Sequence, residues 1–194
     1  MDQNFSHSSI PAAFSRHTAI IQRTSTECVS DIAKSLDLLE SAALNRKTVF
    51  ICGNGGSASQ SQHFATEWVC RYKENRRALK AIALTSDNSS MTAISNDYAF
   101  DSIFSRQLEA LGEKGDILIV LTTSGRSPNI LKVLLKAKDL GIKTIAMTGS
   151  KGSDLKNISD ITIIIPSEET ARIQEAHGII IHILCEAIEK KIIG

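Results

Sequence analysis

The chain has 194 residues, 42% hydrophobic and 22% charged, with a net charge of +1. That balance fits a globular fold with a sizeable core and gives no electrostatic reason to bind nucleic acid or an anionic membrane. The opening "MDQNFSHSSIPAAFSRH" lacks the apolar run of a signal peptide, and no window supplies the roughly 18 uninterrupted apolar residues of a membrane span.

Residues 1–17 are aperiodic and read as a loose N-terminal arm, leaving 18–194 as a single domain. Over 18–45, Cys28, Val29, Ile32, Ala33, Leu36, Leu39 and Ala43 recur at three- and four-residue steps, which predicts a helix. Short β-rich runs then alternate with amphipathic stretches. The runs are "TVFIC" (48–52), "AIAL" (81–84), "DILIVL" (116–121), "KTIAM" (143–147) and "ITIII" (161–165). The stretches span 57–73, 90–111 and 127–140. A turn-rich crossing with one short helix follows at 149–159, and 168–191 closes the chain as a long helix. Unbroken apolar strands are buried on both faces, and crossover helices imply parallel pairing. The predicted fold is α/β: a single-domain three-layer α/β/α sandwich around a five-stranded parallel sheet, with ligands at the carboxyl ends of the strands. Cys28, Cys52, Cys70 and Cys185 form no C-x-x-C pair and read as buried, reduced thiols of a cytoplasmic protein.

Two strand-to-helix turns stand out. In "CGNGGS", glycines permit close backbone approach, and the helix N-terminus behind them offers unpaired N–H groups to an anion. Ser57 suits an N-cap or an oxygen-binding hydroxyl, and a plain capped βα turn is the bland alternative. No G-K-[ST] follows, which excludes a P-loop. The dinucleotide form G-x-G-x-x-[GA] is met by Gly53, Gly55 and Ala58, but it expects an acidic residue about 20 positions on, and Asp87 lies well past that. In "LTTSGRSPN", Thr122, Thr123, Ser124 and Ser127 put four hydroxyls around one glycine, and Pro128 suits a first helical turn. Four hydroxyls exceed what a cap needs and favour a phosphate site without basic residues.

His63 and Glu67 are four residues apart on one predicted helix face, a spacing that suits two ligands of one metal ion, a base and its partner, or a plain surface pair. The last helix carries a second polar set, Gln174, Glu175, His177 and His182. His182 is flanked by Ile181, Ile183 and Leu184, so packed surroundings are expected for it.

Five segments in order, "CGNGGSASQSQHFATEW", "RYKENR", "AISNDYAFDSIFSRQ", "TTSGRSPN" and "ARIQEAHGIIIHILCE", resemble the phosphoheptose isomerases (sedoheptulose-7-phosphate isomerases) of the sugar-isomerase, or SIS, domain family. The resemblance runs from about residue 18 to the C-terminus. It implies a flavodoxin-like SIS sandwich with an N-terminal helix for oligomerisation, and a cytoplasmic homotetramer with active sites near subunit interfaces. It further implies conversion of D-sedoheptulose 7-phosphate into D-glycero-D-manno-heptose 7-phosphate, the first step towards activated heptose for lipopolysaccharide and related glycans. By motif, Asn54, Gly55, Gly56, Ser57, Asn96, Asp97, Thr122, Thr123, Ser124, Ser127 and Gln174 would contact substrate. Glu67 and His182 would be catalytic, and His63, Glu67, Gln174 and His182 would hold zinc. The chain departs in two places. Thr122 stands where Ser is frequent, which keeps the hydroxyl, and Ala171 stands where some members have Asp. Any role of that Asp is absent here or falls to Glu168 or Glu169.

Ketose–aldose isomerisation needs a base for a carbon proton and an acid–base group for the oxygens, for which Glu67 and His182 are the candidates in either order. Gln174 and His182 are separated on a straight helix by a rise of about 12 Å and about 80°. Either Gln174 precedes the regular helix, or the two serve sites formed by different subunits. The alternative function is a non-catalytic SIS protein that recruits a replication initiator or senses sugar phosphates. Such a protein has no reason to keep Glu67 and His182 together, and no DNA-binding segment is present in this sequence.

Overall fold

The computed structural model describes His7 and residues 9–193. Five parallel strands form one sheet: β1 (Val49–Gly53), β2 (Ala81–Ala83), β3 (Ile117–Leu121), β4 (Lys143–Gly149) and β5 (Ile161–Ile165). Their order is β2-β1-β3-β4-β5. Among the described residues seven α-helices surround them: α1 (Ser9–Glu27), α2 (Val29–Leu44), α3 (Gly56–Val69), α4 (Asn88–Asp97), α5 (Ile103–Leu111), α6 (Pro128–Asp139) and α7 (Thr170–Ile193). Each predicted strand is found, and the sheet is parallel throughout.

Alternation of side chains along the strands builds the three layers. Val49, Ile51, Ile117, Ile119, Leu121, Ile145 and Met147 face one core with Leu39 of α2, Phe64 and Trp68 of α3, and Ile173, Ile180 and Leu184 of α7. Phe50, Cys52, Leu118, Val120 and Ala146 face the other, with Phe104 and Leu108 of α5 and Ile130, Val133 and Leu134 of α6. Both faces of every central strand are therefore buried, the physical reason for the unbroken apolar runs.

Several boundaries differ from expectation. Of the predicted arm, residues 1–6 and 8 lie outside the described residues, but from Ser9 the chain is helical rather than loose. The single helix expected over 18–45 is two, broken at Cys28, whose thiol donates to the Ile164 carbonyl at 3.2 Å. The stretch 90–111 is also two helices. Asp87 caps α4 by accepting from the Ser89 and Ser90 amides, and extended backbone at Ala99 ends the segment before a 3-10 turn leads into α5. That capping role is the structural reason Asp87 is acidic, and it removes the last support for a dinucleotide site. Helix α3 stops at Val69 rather than 73, because the amides that would extend it bond elsewhere: Tyr72, Lys73 and Glu74 donate to the Glu189 carboxylate. The crossing at 149–159 contains a 3-10 helix at Ser150–Asn157. Among the described residues no helix is long and apolar enough to cross a membrane.

Truncating either core tests the layered packing. Ile119→Ala and Leu118→Ala remove fully buried side chains on opposite faces of β3. Each is expected to cost about 2–5 kcal/mol in urea unfolding, with nearly additive effects only if the two cores relax independently.

Candidate active site

The order 2-1-3-4-5 reverses direction between β1 and β3, and their following helices leave on opposite faces of the sheet. The crevice opened there, at the carboxyl ends of the strands, is where ligands bind in such folds. Both turns singled out from sequence lie on it.

After β1 the chain turns through Asn54 and Gly55 into α3. Gly55, not Ser57, is the N-cap; Ser57 is buried inside the first turn, where its carbonyl accepts from the Ser61 hydroxyl at 2.8 Å. Gly56 is roofed by Gln174 from α7: a Cβ there would lie 2.7 Å from the Gln174 amide nitrogen. Gln174 is held in turn by Gln60, whose side-chain nitrogen donates to the Gln174 carbonyl at 2.7 Å. Asn54 forms a reciprocal amide pair with Asn129 at the start of α6, 2.9 Å in each direction. This pair fastens the β1 turn to the β3 turn across the crevice. Asn129 is fully buried and was not singled out from sequence; its one signal is an amide just inside a Pro-initiated helix.

After β3, Thr122 Oγ1 accepts from the Gly125 amide at 3.1 Å, and Ser124 Oγ accepts from the Arg126 amide at 3.3 Å. Ser127 is the N-cap of α6, yet its hydroxyl makes no capping bond. Two hydroxyls thus brace the loop, while those of Thr123 and Ser127 have no hydrogen-bond partner among the described residues. Gly125 has φ +67°, and a Cβ on it would sit 2.4 Å from the Gly152 backbone, so the loop is seated on the 3-10 segment by a contact only glycine permits.

The helix α3 projects His63 and Glu67 towards α7. His63 Nε2 lies 3.0 Å from His182 Nε2 and 3.6 Å from a Glu67 carboxylate oxygen. The ligand atoms of the three residues all lie within 4.8 Å of one another. Two ligands at tetrahedral zinc distances stand about 3.3 Å apart, so the His63–His182 and His63–Glu67 separations bracket what one ion requires. These residues fit a metal. His63 is half exposed and Glu67 mostly covered, at 49% and 19% of the side chain.

His182 corrects one expectation: it is exposed rather than packed, and the buried histidine is His177. Burial pushes the His177 imidazole down to about 3, outweighing a contact with the Thr148 backbone, so it is a neutral core residue. Glu175 faces away from the crevice, bonding His17 of α1 at 2.7 Å and Arg172. Gln174 lies within the continuous α7, so it does not precede the regular helix, and it sits over Gly56 two turns from His182. Asn96 and Asp97 end α4, which follows the edge strand β2; the Asn96 amide donates to the Asp97 carboxylate. Ala171 is exposed. Glu168 and Glu169 are in surface ion pairs with Lys151 and Arg16.

The class so defined is a doubly wound α/β protein with a hydroxyl-lined loop at its switch point and a His–Glu–His cluster between α3 and α7. The SIS domain family pattern matches residues 14–149. A phosphoheptose isomerase of Helicobacter pylori (strain P12) is 46% identical over 181 residues, 93% of this chain and 94% of the relative. The structure of a phosphoheptose isomerase from Francisella tularensis superposes with a TM-score of 0.92 at 38% identity, covering 96% of this chain and 100% of the other. That of the Neisseria gonorrhoeae phosphoheptose isomerase gives 0.89 at 35% identity, covering 94% and 98%. The chain belongs to the SIS domain family, among its phosphoheptose isomerases.

Gly125→Ala tests the seating of the hydroxyl loop. Strain at positive φ and collision with backbone are expected to lower stability by about 1–3 kcal/mol and to weaken inorganic phosphate binding at the loop, read by thermal shift with and without phosphate.

Proposed function

We propose that this chain isomerises D-sedoheptulose 7-phosphate to D-glycero-D-manno-heptose 7-phosphate, opening the route to activated heptose for lipopolysaccharide and related glycans. The observation that carries the reading is the convergence of Glu67 and His182 beside a loop with free hydroxyls. The phosphate sits against Thr122, Thr123, Ser124 and Ser127 and the N-terminus of α6, far from the reacting carbons, where its binding energy serves positioning. The sugar hydroxyls meet Asn54, Gly55, Gly56, Ser57, Asn96, Asp97 and Gln174.

Glu67 removes a proton from C1 of the ketose while protonated His182 gives one to the C2 oxygen, which leaves the enediol and a neutral imidazole. His182 then takes the O1 proton as C2 is reprotonated from the same carboxylate, so atoms balance and the aldose forms. Glu67 suits the carbon proton because its carboxylate makes no hydrogen bond among the described residues and lies in the cluster with His63 and His182. His63, Glu67 and His182 are the residues that would hold a zinc ion. Bound there, zinc supplies Lewis-acid polarisation of the substrate carbonyl. A carboxylate has two oxygens, so facing a cation does not prevent Glu67 from acting as base.

Gln174 is assigned to the site across a subunit boundary in a homotetramer. Support comes from its separation from His182 on one helix, and from exposed apolar side chains beside His182 (Ile179 and Ile183) and on α1 (Ile10 and Phe14). Four free thiols fit action in the cytoplasm.

Incubation with sedoheptulose 7-phosphate and detection of the aldose tests the activity. Glu67→Gln and His182→Ala are each expected to lower kcat by about 10²-fold or more while phosphate-dependent binding persists; undiminished turnover in both refutes the assignment. Light scattering tests the assembly: the expected mass is four chains, and a monomeric variant with full kcat rules out a shared site.

A further inference from the structure

Outside the reacting pair, the least expected group in the molecule is a carboxylate buried in the last turns of α7. Glu189 is 2% exposed and lies on the apolar stripe of the helix, beside Cys185 and Ile188. An isolated charge there would be strongly unfavourable. It is surrounded by donors. The Tyr72 amide donates to one oxygen at 2.8 Å, and the Lys73 and Glu74 amides donate to the other at 2.6 Å each. Arg76, equally covered, brings its guanidinium to 3.3 Å.

What these donors belong to matters more than their number. The Tyr72 ring lies against His182, centroids 5.8 Å apart and tilted by 36°. Its position is set by the amide that Glu189 holds. Lys73 places its ammonium 5.0 Å from the same ring. Arg76 donates to the Glu67 carbonyl at 2.8 Å and to the Trp68 carbonyl at 3.1 Å, closing the end of α3. One anion on α7 therefore reaches both members of the reacting pair, by two different routes, without touching either.

We propose that Glu189 is a positioning residue of the active site, holding the Tyr72 ring against His182 and, through Arg76, the end of α3 that carries Glu67. Tyr72 is a positioning residue of the same kind, acting on one face of the imidazole. The two routes make the site depend on a single hydrogen-bonded loop, residues 72–76, that spans α3 and α7. The charge is essential, because every group around Glu189 is a donor. An isosteric amide would turn its NH2 towards N–H groups and release the loop without leaving a cavity.

The inference rests on the isomerase reading, and the tests separate the two. Wild-type turnover tests the reading itself. For the inference, Glu189→Gln and Tyr72→Ala are compared with wild type below the melting temperature of each. Both are expected to lower kcat about tenfold or more with KM within about twofold, because the reacting groups shift while the phosphate loop stays. Tyr72→Phe, which keeps the ring, is expected to retain wild-type kcat. The Glu189→Gln/Tyr72→Ala double variant should be less impaired than the product of the single losses, since both act on His182 through one ring. A second readout needs no turnover. The His182 ring resonance, assigned by its loss in His182→Gln, should move in Glu189→Gln towards its position in Tyr72→Ala. If Glu189→Gln does not fold, Tyr72→Ala decides. Wild-type kcat in Tyr72→Ala, or an unmoved His182 resonance in a folded Glu189→Gln, overturns the proposal.

Discussion

The site depends on a single topological constraint, the divergence of β1 and β3. These strands are hydrogen-bonded neighbours along five residue pairs, so their carboxyl ends emerge side by side. Right-handed crossovers then send α3 to one face of the sheet and α6 to the other. Two helix N-termini are thereby aimed at one crevice, and no side chain is needed to open it. What the side chains do is hold its walls in register. The Asn54–Asn129 amide pair ties the two turns together at the base of the crevice, and Gly125 allows the second turn to rest directly on Gly152. The hydroxyls presented between these fixed points, with the helix N-terminus behind them, are the groups by which a chain of almost no net charge would hold the phosphate proposed above.

The second constraint is that the His–Glu–His cluster is assembled from two helices. Helix α3 carries His63 and Glu67, while His182 arrives from α7 on the same face of the sheet. Two helices that only pack through apolar side chains can slide by fractions of an ångström at little cost, whereas proton transfer demands closer tolerance. A buried, fully hydrogen-bonded anion removes that freedom. Glu189 is held below the ordinary carboxylate range: burial opposes its ionisation, but the amides of Glu74, Lys73 and Tyr72 and the charge of Arg76 outweigh it. The sign of the linkage follows. This stabilisation is present above the unfolded carboxylate pKa, and it is lost as pH falls through the lower folded value.

Much of this was legible because buried strands and small-residue turns leave local signatures. The runs at 48–52 and 116–121 become strands buried on both faces, and a sheet interior is what such runs require. The two turns advertised themselves by glycine and hydroxyl content, and His63 with Glu67 by helical spacing. What was not legible is long-range. That α3 ends at Val69 follows from an acceptor 115–117 residues away on α7, invisible in any local window. The exposure of His182 is not given by its neighbours in sequence: Ile181, Ile183 and Leu184 border it, yet it faces outward, while His177, bordered by Ala176 and Gly178 and about 140° away around α7, is the buried one. Glu189 did leave a trace. The buried stripe Ile181, Leu184, Cys185 and Ile188 continues into it at helical period, and an acid in that register has to be paired. The pairing partner, "RYKENR", was visible only as a resemblance, without a role.

The placement of Gln174 carries the remaining step. It is on the same continuous helix as His182, and its side-chain amide roofs Gly56. Within one chain α7 therefore divides its labour along its length. Its first turns cover the β1 turn, its middle presents the imidazole, and its last turns carry the anion that steadies residues 72–76. The exposed Ile179 and Ile183 flank His182 on the outward side of that helix. In the homotetramer proposed above, a neighbouring subunit docking on them would dehydrate the imidazole and the adjoining carboxylate together, and so strengthen the charge interactions between them.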